Sequence, residues 1–514
     1  MCRTLGAKSM HLYVKGAPEK IHSLCKERTV PDNFHDVFRG YAMQGFRVIA
    51  IAYKTLPRKL TWHHAQRVNR EDVECELEFL GLLIMENVLK PDTTPVIHSL
   101  HGARIKCLMA TGDNLLTALS VARDCDMIPG DAEVMVIQAS FDEASGVATV
   151  ESAGTSQRQT NVTKSTTTKI QLSTATDNIQ KVHLAVDGRS FSTIRSYFPD
   201  VHEKLLVRGT IFARMLPEQK EQLVQDLQRL GYVVCMCGDG ANDCGSLKAA
   251  DVGISLSESV SSVAAPFTSA MPNIHCVPII VREGRCALVT AFQIFKFIAL
   301  YSLVQFISVL LLYGVETNMS DPMFLYVDLL VITTLAVTMC NTHSFPQLVP
   351  TRPPCCLVSF YNLLSVGLQL VLVILVQLGM LVFLRSQSWY VPIQHDPNES
   401  VYDYWDTATM FFISIYQYLI LAIVFSKGPP FQSPFWTNKW FLGNLIVVFL
   451  VTTSLLFGVY DDVHTMLEMV HWKPAEKINF RWTIFLICCL SLVVSFVIEV
   501  RTASCLRVEL LSGF

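Results

Sequence analysis

Tyr232-Val-Val-Cys-Met-Cys-Gly-Asp-Gly-Ala-Asn-Asp243 is the stretch that sets the fold of the first half of the chain. Residues 232–237 read as a buried strand. The strand runs into a glycine-bearing loop with carboxylates at Asp239 and Asp243, and a short helix through 246–250 follows. Residues 252–255 read as the next strand. Two carboxylates in a loop beyond a parallel strand suit Mg²⁺, which binds through one or two carboxylates and keeps several waters. Asp239 is the expected first ligand, and Asp243 a second ligand or its orienter. The plain alternative is an Asx turn. Cys235 and Cys237 read as strand residues rather than metal ligands.

Two further units lie upstream. Residues 104–110 read as a strand, followed by Thr111-Gly-Asp-Asn114 and a helix to about Cys125 with Leu115, Leu116, Leu119 and Ala122 on one face. A polar turn at a helix N-terminus is where an anion is best held. Gly209-Thr-Ile-Phe-Ala213 reads as another strand, and Pro217 suits the first turn of the helix after it. Lys220 sits in that first turn, where a cation opposes the helix dipole. A phosphoryl oxygen would explain it better than a stray surface lysine. Strands alternating with helices predict a doubly wound α/β sheet with its ligand at the carboxyl ends of the strands.

The second half is different in kind. Hydrophobic residues make up 51% of the 514-residue chain and charged residues only 17%, below the usual quarter. A purely soluble protein and a largely disordered one are both excluded. The net charge of −3 gives no case for nucleic-acid binding. The 16 cysteines are scattered, as reduced thiols in a cytosolic domain would be, and the first residues hold no apolar signal core. Six apolar runs fit bilayer-crossing helices, near 293–313, 322–340, 357–384, 407–425, 440–460 and 482–499. An even number puts both ends of this region on one side. Asn398-Glu-Ser400 would then face outside, while the Asn161 sequon would be cytosolic and a chance match. Cys355-Cys356 is either a lipidation site or plain loop. Gln305 and Asp328 each lie well inside adjacent spans at similar height, so an amide and a carboxylate would face each other there, with Ser302 and Tyr326 adding oxygens. Such a group holds an amine or a metal cation; the alternative is a polar tie between helices. Asp321 reads as a helix cap before Pro322.

Gly238-Asp-Gly-Ala-Asn-Asp243, Met109-Ala-Thr-Gly-Asp-Asn114 and Ala213-Arg-Met-Leu-Pro-Glu-Gln-Lys220 resemble the phosphorylation domain of P-type ATPases, within the haloacid-dehalogenase-like superfamily. The resemblance implies that Thr111, Gly112 and Asp113 line a phosphate, that Lys220 neutralises it, and that Asp239 and Asp243 hold Mg²⁺ with Asn242 in support. Lys15-Gly16-Ala-Pro-Glu19 is similar to the family's nucleotide-domain motif, which implies that Lys15 lies beside an adenine. Gly45-Phe-Arg47-Val-Ile-Ala50 is similar to the strand whose arginine meets nucleotide phosphates. The longer stretches 238–258, 265–269, 295–306, 411–420 and 425–431 resemble the fifth class of P-type ATPases, subgroup B. That implies ATP-driven export of polyamines, or another cation, from late endosomes or lysosomes to the cytosol.

The family's defining Asp-Lys-Thr-Gly-Thr is missing; no Asp-Lys dipeptide occurs in the chain. Nor is there a Thr-Gly-Glu. The expected organisation is a partial nucleotide-binding domain at 1–80, an incomplete haloacid-dehalogenase-like domain at 81–290, and an α-helical membrane domain of six spans at 291–514. The second carries a flexible Ser/Thr-rich insert at 141–178. Such a chain reads as a truncated pump, or as a non-catalytic membrane fragment that binds nucleotide weakly and associates with the full-length pump.

Overall fold

The computed structural model describes residues 1–2, 9–44, 46–57, 65, 67–86, 88–142, 147–155, 182–239, 241–256, 265–392, 402–459, 461–470 and 477–512. Gly240, residues 257–262, most of the 141–178 insert and both sequons lie outside them. The chain divides into two compact units, Met1–Pro278 and Ile279–Phe514.

The first unit is mixed α/β. It opens with an antiparallel sheet in the order β1 (His11–Gly16), β2 (Arg47–Thr55), β3 (Glu78–Met85). Leu12 and Val14 alternate with exposed Tyr13 and Lys15 along β1, so one face packs on Ile21 of α1 (Pro18–Leu24) and on Ala50 and Ala52. Helix α2 (Phe34–Met43) precedes β2.

Two more sheets follow. One is five-stranded: β4 (Met109–Ala110), β8 (Gly209–Ala213), β7 (Val182–Asp187), β5 (Glu133–Asp142), β6 (Val147–Thr155). All its pairings are parallel except β5 with β6. The other is β11 (Phe267–Thr268), β10 (Val252–Ser255), β9 (Cys235–Gly238), all parallel. The inner strands β7 and β8 bury Leu184–Val186 and the whole of Gly209–Ala213, as strands covered on two faces do. The helices are α3 (Arg70–Val73), α4 (Thr93–Gly102), α5 (Leu115–Asp124), α6 (Gly188–Tyr197), α7 (Pro199–Arg208), α8 (Pro217–Arg229) and α9 (Cys244–Ala249).

Three expectations shift. Residues 147–155, placed in the flexible insert, form β6, because its backbone pairs along the whole of β5. The strand expected at 104–110 is only β4, since its sole sheet neighbour among the described residues is β8. The strand expected at 232–237 starts at Cys235; Tyr232 and Val233 are exposed.

The second unit contains six helices long and apolar enough to cross a membrane. They are α10 (Cys276–Tyr313), α11 (Asp321–Met339), α12 (Phe360–Arg385), α13 (Trp405–Phe425), α14 (Lys439–Leu456) and α16 (Ile478–Ser512), with the short α15 (Asp461–Met466) between the last two. Helix α10 begins well before Gln293, because a polar turn with Arg282, Glu283 and Arg285 extends it. Asp321 lies inside the first turn of α11; the cap position is Ser320, whose hydroxyl bonds Leu467 O. Within α11, Tyr326–Thr333 is π-helical. Helix α13 is buried on nearly every face while the others bury one stripe, so α13 is the centre of this unit's core.

Candidate functional sites

The Thr111–Asp113 turn sits at the carboxyl end of β4. Thr111 N donates to Phe212 O, Met215 N to Thr111 O and Arg214 N to Asp113 O, so the turn is stitched to the loop after β8. Thr111 Oγ1 accepts from Asp113 N at 3.1 Å. Asn114 caps α5, its Oδ1 accepting from Leu116 N at 3.0 Å. The amides of the first turn of α5 thus stand beside Thr111 and Asp113.

The loop after β8 is held from below. Asp187 caps α6 by accepting from Ser190 N at 2.8 Å. Gln219 donates to Gly188 O and accepts from Leu216 N, both at 2.8 Å. A Cβ on Gly188 would lie 2.4 Å from Arg214 O, so only glycine admits this loop. Arg214 itself has φ +51°, a strained conformation for a non-glycine residue.

Lys220 donates from the first turn of α8 to Asp243 Oδ1 at 2.8 Å, with both side chains largely buried. The pair links the β8–α8 unit to the β9–α9 unit. Asp243 packs against Gly238, where a Cβ would meet its Oδ2 at 2.7 Å. Ser246 Oγ donates to Asp243 O at 2.9 Å. Asp239 and Asn242 are exposed. Asp243, held by Lys220, and exposed Asp239 are the two carboxylates this loop could offer to a cation that binds through one or two carboxylates, such as Mg²⁺. Behind the loop, burial pushes the half-buried Cys237 thiol up to about 12.

The nucleotide-motif residues converge on the same loops. Arg47 Nε lies 3.6 Å from Asp113 Oδ1. Arg214 donates to Glu19 at 2.9 Å. Lys15 is exposed on β1, and Gly16 leaves room for Ile21, whose Cδ1 would stand 3.3 Å from a Cβ there. Glu19, Arg214, Gly188 and Gln219 were not singled out from sequence. Gln219, three residues beyond the cap position Leu216 and two beyond Pro217, was the available signal.

In the membrane unit, Gln305 is half-buried on α10, and Asp328 is exposed within the π-helical stretch of α11. Tyr326 packs on Phe411 of α13, ring centroids 5.8 Å apart. Ser302 bonds back to Ile298 O in its own helix at 3.0 Å and is not tied to that pair.

A family model described as "P-type ATPase, cytoplasmic domain N" matches residues 1–92. Curated relatives match almost all of the chain. It is 46% identical over 88% of its length to the polyamine-transporting ATPase 13A2 of Mus musculus, covering 39% of that protein. It is 40% identical over 97% of its length to the polyamine-transporting ATPase 13A3 of Macaca fascicularis, covering 43% of it. It is 39% identical over 95% of its length to a probable cation-transporting ATPase 13A4 of Homo sapiens, covering 42%. The chain spans about two fifths of the length of these relatives.

Proposed function

We propose, for a chain that belongs to the P-type ATPase 13A family, that it supplies the phosphate-handling and cation-path portion of a polyamine or other cation pump. The observation that carries this reading is the buried Lys220–Asp243 pair in a loop that also holds exposed Asp239, together with the Thr111–Asp113 turn stitched to the loop that leads into Lys220's helix. Phosphoryl transfer is mainly positioning and charge neutralisation. Here Thr111 Oγ1 and the amides after Asn114 orient phosphoryl oxygens. Lys220 places a cation at their edge. Asp239 and Asp243 would hold Mg²⁺, which neutralises charge on the transferring group when bound. Arg47 and Lys15 would engage ATP phosphates and adenine. The haloacid-dehalogenase-like assignment rests on the same three loops, each at the carboxyl end of a parallel strand.

The phosphorylated aspartate is not among these groups. Two features support an acceptor supplied from sequence beyond this chain. The chain has no Asp-Lys dipeptide. Among the described residues, β4 and β9 each pair on one side only, and both lead into phosphate loops. A parallel strand between those open edges would deliver its last residue to Thr111, Lys220 and Asp239. In the membrane unit, Asp328 and Gln305 would take the cation, with Tyr326 behind them. A late endosomal or lysosomal membrane, with the α/β unit in the cytosol, fits ATP chemistry and the resemblance to pumps that export polyamines there.

The test is phosphoenzyme formation. The purified chain with γ-labelled ATP and Mg²⁺ should give no acid-stable, hydroxylamine-sensitive label. A band that disappears in Asp239→Asn would mean that another carboxylate here accepts phosphate. Absence of both label and ATP binding would leave a membrane fragment acting through partners such as the full-length pump.

A further inference from the structure

We propose that Cys355 and Cys356 are S-acylated, each carrying a long-chain fatty acyl group in thioester linkage, and that these chains lie along the lipid-facing side of α12. The inference rests on the reading given above that the α/β unit faces the cytosol. Helix α10 leaves that side and α11 returns to it, so the connection between α11 and α12 lies where acyl-coenzyme A is found.

Cysteines beside a span are where reversible acylation occurs, and here the geometry singles out two. Helix α12 has 26 residues, about 39 Å of rise, against a hydrocarbon core of about 30 Å, so its ends reach headgroup level. Ser359 caps it, Oγ accepting from Asn362 N at 3.4 Å. Asn362 Nδ2 donates to Cys356 O at 3.0 Å, which fastens the Cys356 backbone to the first turn. Both thiols are exposed. Pro353 and Pro354 precede them and keep the approach extended.

The surface beside the thiols is one that an acyl chain would cover. Val358 is 70% exposed and Phe360 71%. Phe360 opens a stripe that continues through Leu364, Leu368, Val371 and Leu375, all exposed, at helical spacing along α12. The opposite face is taken up by packing. Ser365, Gln369 and Gln377 are buried there and bond Glu499 at 2.6 Å, Ser495 at 2.6 Å and Gln417 at 2.9 Å. A chain leaving Cys355 or Cys356 thus meets an apolar face that runs from the helix start into the bilayer.

Exposure alone does not select these residues. Cys340 is exposed too, but it sits in the closing turn of α11, its N–H bonding Ala336 O at 3.3 Å, and polar Asn341 and Thr342 follow it.

Six spans already hold the chain in a membrane, so the acyl groups would place the connection rather than anchor the protein. That connection grips the polar turn of α10. Ser344 Oγ donates to Glu283 Oε1 at 2.6 Å, and Arg285 Nη1 to Val349 O at 2.7 Å. Acylation at the far end of the connection holds it, and the turn it grips, against the membrane surface.

The reaction is an acyl transfer with no redox change. A cysteine thiolate attacks the carbonyl carbon of acyl-coenzyme A. A C–S bond forms to Cys355 or Cys356 as the C–S bond to coenzyme A breaks. Coenzyme A leaves as a thiol, with the proton that the cysteine gave up.

The experiment expresses the full chain in cells fed an alkynyl palmitate analogue. Label on the purified chain is read before and after neutral hydroxylamine, which cleaves thioesters. The chain should be labelled and should lose the label in hydroxylamine. Cys355→Ser with Cys356→Ser should abolish labelling, while Cys340→Ser should leave it unchanged. Only exposed sulfur atoms are replaced, so the double variant should melt as the native chain does. An unlabelled native chain, or label that persists in the double variant, overturns the proposal. A membrane-impermeant maleimide, applied to sealed vesicles after hydroxylamine, tells the two failures apart. Thiols reached from the side of the α/β unit yet never labelled remove the acyl groups and leave the cytosolic reading standing. Thiols reached only from the other side remove both.

Discussion

Lys220 and Asp243 are each the other's main compensation for burial. Removing one partner strands a charge out of water, which costs more than the pair itself contributes. Lys220→Met should therefore destabilise the α/β unit by about 3 kcal/mol, and adding Asp243→Asn should restore most of it. Denaturant melts of the three variants decide this; additive losses would mean the two side chains do not interact. Asp226 is a second buried carboxylate. Burial alone would raise its pKa, but hydrogen bonds and charge from Arg195 (2.7 Å) and His202 (3.0 Å) hold it below the usual carboxylate range. A depressed folded-state pKa contributes stability above the unfolded value, about 3.9, and that contribution is lost as pH falls through the folded value. Melts of native protein should weaken below about pH 4, while Asp226→Asn should be weaker at neutral pH and show a flatter acid limb.

At the scale of elements, the caps do work that propensity does not. Asn114→Ala should cost about 1 kcal/mol, and hydrogen exchange should rise first at Leu116, whose amide it bonds. The elements also show what a sequence discloses. The glycine–aspartate loop, the helix begun by Pro217 and the six apolar spans were legible, because each depends on residues adjacent in the chain. The Arg47–Asp113 and Arg214–Glu19 pairs were not, since they join segments far apart and only packing brings them together. Strand β6 was hidden by its composition. Ser, Thr and Gly read as loop, yet nine backbone partners along β5 hold it extended. The Ser365–Gln369–Gln377 stripe was also missed. Neutral polar residues barely disturb an apolar run, and a stripe needs a facing helix to give it meaning.

At the scale of the whole molecule, the described residues hold six helices long and apolar enough to cross a membrane, an even number that predicts the two ends of this unit on one side. In sealed vesicles, a tag after Phe514 and a tag before Met1 should be cut by protease together; protection of one alone would mean a span does not cross. The π-helical stretch Tyr326–Thr333 bears on how such a molecule could move. A π turn holds one residue more than an α turn. Passing that surplus residue along α11 turns every side chain it sweeps past by about 100° without breaking the rod. Asp328 lies inside the stretch, and Thr333 Oγ1 already caps the Asp328 carbonyl at 2.7 Å. The carboxylate is mounted on a bearing rather than a fixed post: it can be aimed at one side of the bundle or the other by a change of winding alone.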